Sequence, residues 1–333
     1  MELNELEQRL IPFCRAKYDD PNARVHDVTK MPGHAGFAYG FSVTSRDAVE
    51  SWFIRLPPPN VQWKGTADVL RQVAILNALD RTTVPHCSVK WSGDDVQWFG
   101  CPYFVVPKLE GDVMRLGQGE WGTKLPPEKL LDFGAQAMRA LAGIHKVKLA
   151  DVPYLGEPIP FEDDVTRWDR FYERAADPEK LSGVPDARRK LLAKLPTNAP
   201  IGVFHGDFQT ANLFCSFQGD LLAVIDFELV GTGATLNDVG WIATFSDPKA
   251  WPSAGGRRPM FLDPDTLVSL YTKAYGAPLP DINWFRALAA YKFAIITGFN
   301  LSLHRRGKRV DPTWEVSALA MTPLVDRALD LLG

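Results

Sequence analysis

Cysteine is scarce: Cys14, Cys87, Cys101 and Cys215 are scattered through 333 residues, with no CxxC pair and no histidine at metal-ligand spacing. That argues against a disulfide framework and a structural zinc site, and fits a reducing compartment. No run of 18 apolar residues occurs, so a membrane-spanning helix is not expected. The opening MELNELEQRL is acidic where a secretion signal is basic, which predicts a cytoplasmic protein with no membrane partner. Excess positive charge is missing too. A net charge of -3 gives no global field toward nucleic acid. No internal repeat or low-complexity tract appears.

What is present is a chain that is 46% hydrophobic and 23% charged, large enough for two lobes. Its chemistry concentrates in Val203 to Trp241, VFHGDFQTANLFCSFQGDLLAVIDFELVGTGATLNDVGW. An apolar Ile201 to Phe204 leads into His205-Gly206-Asp207, where Gly206 permits a sharp turn and Asn212 follows five residues after Asp207. Leu213 to Cys215 and Leu221 to Ile225 read as a hairpin around Gln218-Gly219-Asp220, with Asp226 emerging at the strand end. Phosphoryl transfer needs this set: a carboxylate to take the attacking hydroxyl's proton, and an amide oxygen with a second carboxylate to hold magnesium on phosphates.

The stretch resembles the catalytic core of the aminoglycoside phosphotransferase and choline kinase group, relatives of the protein kinases. The resemblance implies an α+β, bilobal protein-kinase-like fold: an antiparallel N-lobe sheet with a helix, and a mainly helical C-lobe with a catalytic hairpin. It implies lobes at residues 1–107 and 108–333, and ATP (or GTP) with Mg2+ as cofactors. Carried over residue by residue, Asp207 is the catalytic base and Asn212 and Asp226 bind metal. Glu228 stands at the family's IDxE glutamate, Asp238 matches a buried aspartate supporting the catalytic loop, and His205 is structural.

Leu3, Leu6, Leu10 and Phe13 predict an amphipathic helix over 2–18. Strands are expected at Arg24 to Lys30, Phe37 to Thr44 and Ser51 to Leu56. The intervening Pro32-Gly33-His34-Ala35-Gly36 is either a phosphate cap, with Gly33 and Gly36 letting amides approach an anion, or an ordinary hairpin. Where the resembling family keeps a phosphate-binding lysine, this chain has Arg55 followed by three prolines. That segment is similar to kinase domains fused to acyl-CoA dehydrogenases, and arginine pairs with phosphate bidentately. A helix over Thr66 to Leu79 offers Gln72, or Asp68, where the family has a glutamate partner for that cation.

A hairpin is expected from Val89–Trp91 and Val96–Phe99, then a last N-lobe strand, Tyr103 to Pro107, and a hinge from Pro107 to Gly111. In the family this strip, here Val106 and Lys108, contacts adenine through backbone groups. Helical periodicity resumes at Pro127 and runs to His145, a core-edge residue. Trp168 to Phe171 resembles an RW-containing segment of the dehydrogenase-linked branch. Further helices are expected at 264–275, 284–303 and 313–332, the last divided near Pro323.

Between Asp247 and Val310 stand ten basic and four acidic residues, a local +6. A polycationic antibiotic prefers an acidic site, so an anionic acceptor such as a hydroxyacyl-CoA suits this balance better. The leading expectation is an ATP- and magnesium-dependent kinase of a small-molecule hydroxyl. The alternatives are an aminoglycoside or macrolide phosphotransferase and a non-catalytic pseudokinase binding module.

Overall fold

The computed structural model describes residues 1–31, 37–117, 119–251 and 261–333. Helix α1 (Leu3–Tyr18) buries Leu6, Leu10, Phe13 and Cys14 against the N-lobe sheet and stops at Asp19, which takes a left-handed conformation. Strands β1 (Arg24–Lys30), β2 (Ala38–Ser45) and β3 (Ala48–Arg55) follow as an antiparallel meander. The loop joining β2 to β3 is shorter than the sequence implies: Arg46 and Asp47 alone make it, both at positive φ. This is the two-residue geometry whose twist matches that of the flanking strands.

Helix α2 (Leu70–Leu79), β4 (Trp91–Gly93) and β5 (Tyr103–Pro107) complete a five-stranded sheet of order β1-β2-β3-β5-β4. The strand expected at Val96–Phe99 does not form. Gly100 N–H closes a turn on Val96 O, and Phe99 leaves the sheet plane to pack against Phe13 and Tyr103. Aromatic burial outweighs β propensity there.

The chain crosses into the C-lobe through β6 (Asp112–Val113), which pairs with β8 (Leu213–Cys215). Next come α3 (Pro127–His145), α4 (Phe161–Thr166), α5 (Asp169–Tyr172) and α6 (Val184–Ala193). Strand β7 (Ile201–Phe204), the hairpin of β8 with β9 (Leu221–Val224), and β10 (Gly231–Ala234) carry the functional loops. β10 pairs with β7 and has no sequence signal, because GTGA reads as a turn; a Cβ at Gly231 would lie 2.7 Å from the Phe204 ring. Glycine is what lets the two strands close.

Helices α7 (Leu236–Phe245), α8 (Pro264–Tyr275), α9 (Ile282–Arg305), α10 (Thr313–Ser317) and α11 (Met321–Leu332) finish the chain. Asp263 caps α8 by accepting from Thr266 N, and Pro264 takes the first turn. The break before α11 falls at residues 318–320, which leaves Pro323 in a first turn where its missing N–H costs nothing.

Two apolar clusters result, one between α1 and the sheet, the other centred on α3, α7, α9 and α11. The larger crosses the expected lobe division at 107/108, since it includes α2, Phe104 and Val106. Arg71 of α2 reinforces the join by donating to Val230 O (2.9 Å). The cleft between lobes is therefore closed behind by packed side chains. Among the described residues, no helix is long and apolar enough to cross a membrane.

Candidate active site

β7 delivers His205, Gly206 and Asp207 to the cleft. Gly206 has φ +90, and a Cβ there would stand 2.4 Å from Leu229 O, so only glycine fits this turn. Asp238, on α7, accepts from the backbone amides of His205 (2.6 Å) and Gly206 (2.8 Å). His145 Nε2 lies 3.0 Å from the same carboxylate, and His145 Nδ1 lies 2.7 Å from the Tyr271 hydroxyl. A carboxylate only accepts, so His145 donates through Nε2 and receives the Tyr271 proton at Nδ1. Burial alone would raise the Asp238 pKa; the His145 hydrogen bond, the nearby His145 and His205 and the backbone amide outweigh it and hold the group below its ordinary value. His145 is thus not at the edge of the core but inside it, as part of the loop's anchor.

Asp207 faces the cleft with both oxygens engaged. Trp241 Nε1 donates to Oδ1 (2.7 Å), and Gln209 Nε2 is shared between Oδ1 (2.9 Å) and Oδ2 (3.0 Å). Asn212 Nδ2 reaches Oδ2 (3.0 Å) and the Asp207 carbonyl (2.8 Å). Burial raises the Asp207 pKa and these donors only partly offset it. His205 Nδ1 accepts the Asp207 amide (3.2 Å), so its Nε2 carries the proton and donates to Ile225 O (3.0 Å). One imidazole therefore ties the Asp207 loop to the Asp226 loop.

Asp226 takes a left-handed backbone, φ 62, at the end of β9. Its Oδ1 is buried without a hydrogen-bond partner and lies 3.9 Å from Arg55 Nη2. Arg55 makes its close contact, 2.7 Å, with Glu228 Oε2. Burial raises the Glu228 pKa, the Asp226 charge adds to this, and Arg55 opposes it. Since the Asn212 nitrogen is spent on Asp207, its amide oxygen remains as an acceptor. An unpaired buried carboxylate oxygen and an amide oxygen suit a hard cation, but two protein oxygens leave an octahedron unfinished. Among the described residues, no cluster of three or more His, Cys, Asp or Glu side chains forms a self-sufficient metal site. The donor set fits a cation that arrives with phosphate oxygens.

A family model described as the phosphotransferase enzyme family matches residues 36–281. The chain belongs to this family. It is 26% identical over 257 residues to acyl-CoA dehydrogenase family member 11 of Gallus gallus, covering 71% of this chain. The match spans only 32% of that relative, about a third of its length. A Ralstonia eutropha structure attributed to an aminoglycoside phosphotransferase superposes with a TM-score of 0.79 at 18% identity, over 98% of this chain and 97% of that one. The aminoglycoside phosphotransferase APH(4)-Ia, in a ternary complex with AMP-PNP and hygromycin B, gives 0.58 at 14% identity, over 97% of each chain. Such identities establish the fold, which is the protein-kinase-like one.

For this phosphotransferase-family chain, the cleft gathers Asp207, Asn212, Asp226 and Arg55. Gly33 and Gly36 lie outside the described residues. Val106 is a buried sheet residue, and the Lys108 amide donates to Ser51 O (3.0 Å). Neither Gln72 nor Asp68 partners Arg55: Gln72 is buried on α2, and Asp68 bonds the Leu70 amide and the Tyr154 hydroxyl. The partner is Glu228, two residues beyond Asp226. Trp241, by contrast, was findable in the sequence, because it lies three residues after Asp238 and so shares one face of α7 with it.

A cavity of about 220 Å³ opens beside Gln209, walled by Thr210, Ile242, Phe245, Ser246 and Phe261. The larger hollow, about 490 Å³ along Arg167 and Arg170, is lined by none of Asp207, Asn212, Asp226 and Arg55. Part of the basic tract is paired or buried, while Arg306, Lys308 and Arg309 stay exposed. Arg286 pairs with Asp247 and Asp265, and Arg305 with Asp177 and Glu315. Lys292 is buried over the Trp241 ring at 4.5 Å.

Proposed function

We propose that the chain is an ATP- or GTP-dependent, magnesium-requiring kinase that phosphorylates a hydroxyl of a small molecule. One observation carries this: a fixed carboxylate, Asp207, is bonded to the Asn212 amide, and the Asn212 backbone carbonyl accepts from Ile225 N, the residue before Asp226 with its buried, unpartnered Oδ1. Asp207 accepts the proton as the acceptor oxygen bonds to the γ-phosphorus and the nucleoside diphosphate leaves. Asn212 and Asp226 hold magnesium, which when bound supplies charge neutralisation on the phosphate oxygens. Arg55 shifts from Glu228 toward phosphate, and backbone at Val106 and Lys108 meets the base.

For the acceptor, a hydroxylated acyl thioester is favoured over an aminoglycoside. Among the described residues, the cavity beside Gln209 has aromatic and aliphatic walls with hydroxyls and no carboxylate, which gives a polycation nothing there to pair with. The similarity to an acyl-CoA dehydrogenase family member points the same way. A thermal-shift screen of nucleotides with and without magnesium, followed by phosphoryl transfer to hydroxyacyl-CoA and aminoglycoside panels, tests both parts. Nucleotide stabilisation indifferent to magnesium would refute the site. Transfer to aminoglycosides alone would refute the acceptor class.

A further inference from the structure

A carboxylate oxygen has two lone-pair directions. At Asp207, Oδ1 receives Trp241 and Gln209, while Oδ2 receives Gln209 and Asn212. All four positions face a donor, so an acceptor hydroxyl has nowhere to donate until one donor leaves. Trp241 is held: its ring is buried and packs edge-on against Phe245 (5.1 Å) and Phe293 (5.4 Å), with Lys292 on its face. Asn212 is buried and also bonds the Asp207 carbonyl. Gln209 differs on each count. It is only half-buried, its one amide nitrogen serves both oxygens, and the residue lines the 220 Å³ cavity into which its side chain can swing.

We propose that Gln209 is a specificity-determining stand-in for the acceptor: its amide holds the carboxylate position that the acceptor hydroxyl must take, and only a ligand filling the adjoining cavity displaces it. A single water gains no packing against the cavity walls that would offset the amide's lost hydrogen bonds, so the nucleotide is protected from hydrolysis. The proposal rests on Asp207 being the base. Without the amide, a water donates its proton to Asp207, its oxygen bonds to the γ-phosphorus, and the bond to the diphosphate breaks to release ADP and phosphate.

The test needs no acceptor. ATP hydrolysis with magnesium is measured for the full chain and for Gln209→Ala and Gln209→Met, the latter keeping length without a donor. Both variants should raise hydrolysis about tenfold, the worth of one hydrogen bond to a charged group, with unchanged ATP KM and melting temperature. No rise in either, or a rise in Gln209→Ala alone, which would mean bulk rather than hydrogen bonding, overturns the proposal. Adding Asp207→Asn should abolish the gain. A gain that survives overturns the assignment of Asp207 beneath it instead, and the two failures are thereby told apart.

Discussion

Replacing Asp226 by Asn should strengthen the nucleotide-free protein while abolishing its hold on a metal-nucleotide complex. Residue 226 has φ 62, a left-handed conformation in which asparagine is at least as comfortable as aspartate, so the backbone does not resist the change. Burying the ionised, unpartnered Oδ1 costs about 1–3 kcal/mol more than burying a neutral amide in its place. Glu228, its pKa raised by burial and then by Asp226, shows the two carboxylates crowding one another. The substitution removes one charge and leaves Arg55 with its 2.7 Å partner, Glu228. What is lost is a 3.9 Å, partly exposed attraction to Arg55, worth below about 1 kcal/mol. The net gain is about 1–2 kcal/mol, or roughly 2–4 °C at about 2 °C per kcal/mol for a chain of this size. Differential scanning fluorimetry with and without magnesium and ATP measures both effects. A lower melting temperature without ligand, or a magnesium-dependent nucleotide shift that survives, would refute the reasoning.

Arg55→Ala should raise the ATP Michaelis constant about tenfold, as expected for a lost charge-assisted contact; unchanged ATP dependence would put the phosphate cation elsewhere. Asp238→Ala leaves two loop amides and His145 without their acceptor, so urea unfolding should show a loss of about 3–5 kcal/mol, and a loss below 1 kcal/mol would deny the anchor. The Glu228 pKa lies above its ordinary 4.5, so the folded state keeps a proton that the unfolded state has released. Stability of the nucleotide-free protein should therefore fall as pH rises above about 4.5. Glu228→Gln should flatten that slope in melting curves, and an unaltered slope would assign it to another group.

The proposed catalytic set was legible as a group in the sequence because its spacing is local. Five residues join Asp207 to Asn212, and one hairpin brings Asp226 alongside. The lone glycine of HGD likewise announced its turn, which the close approach of Leu229 O makes obligatory. Long-range pairings were hidden. Nothing in either segment announces that Arg55 meets Glu228 across 173 positions, or that His145 meets Asp238 across 93. Such contacts depend on how α2, α3 and α7 pack, and that is set by the shape of the core. Phe99 misled for a related reason: alternation at Val96–Phe99 implied a strand, but the aromatic cluster around Phe13 offered more burial than an edge position. The charge count could not say which of its cations are exposed: in the C-terminal tract Arg286 and Lys292 are buried, whereas Arg305 makes its ion pairs at the surface.

The most direct test of the site is single-turnover phosphoryl transfer by Asp207→Asn beside an ATP titration, once the acceptor panel has yielded a substrate. Positioned proton transfer is worth about 10²–10⁴-fold. Turnover should fall by that factor, about 3–5 kcal/mol of barrier, while nucleotide affinity stays within about twofold. Near-normal transfer would remove Asp207 from the chemistry, and an equal loss of ATP affinity would make it a structural residue.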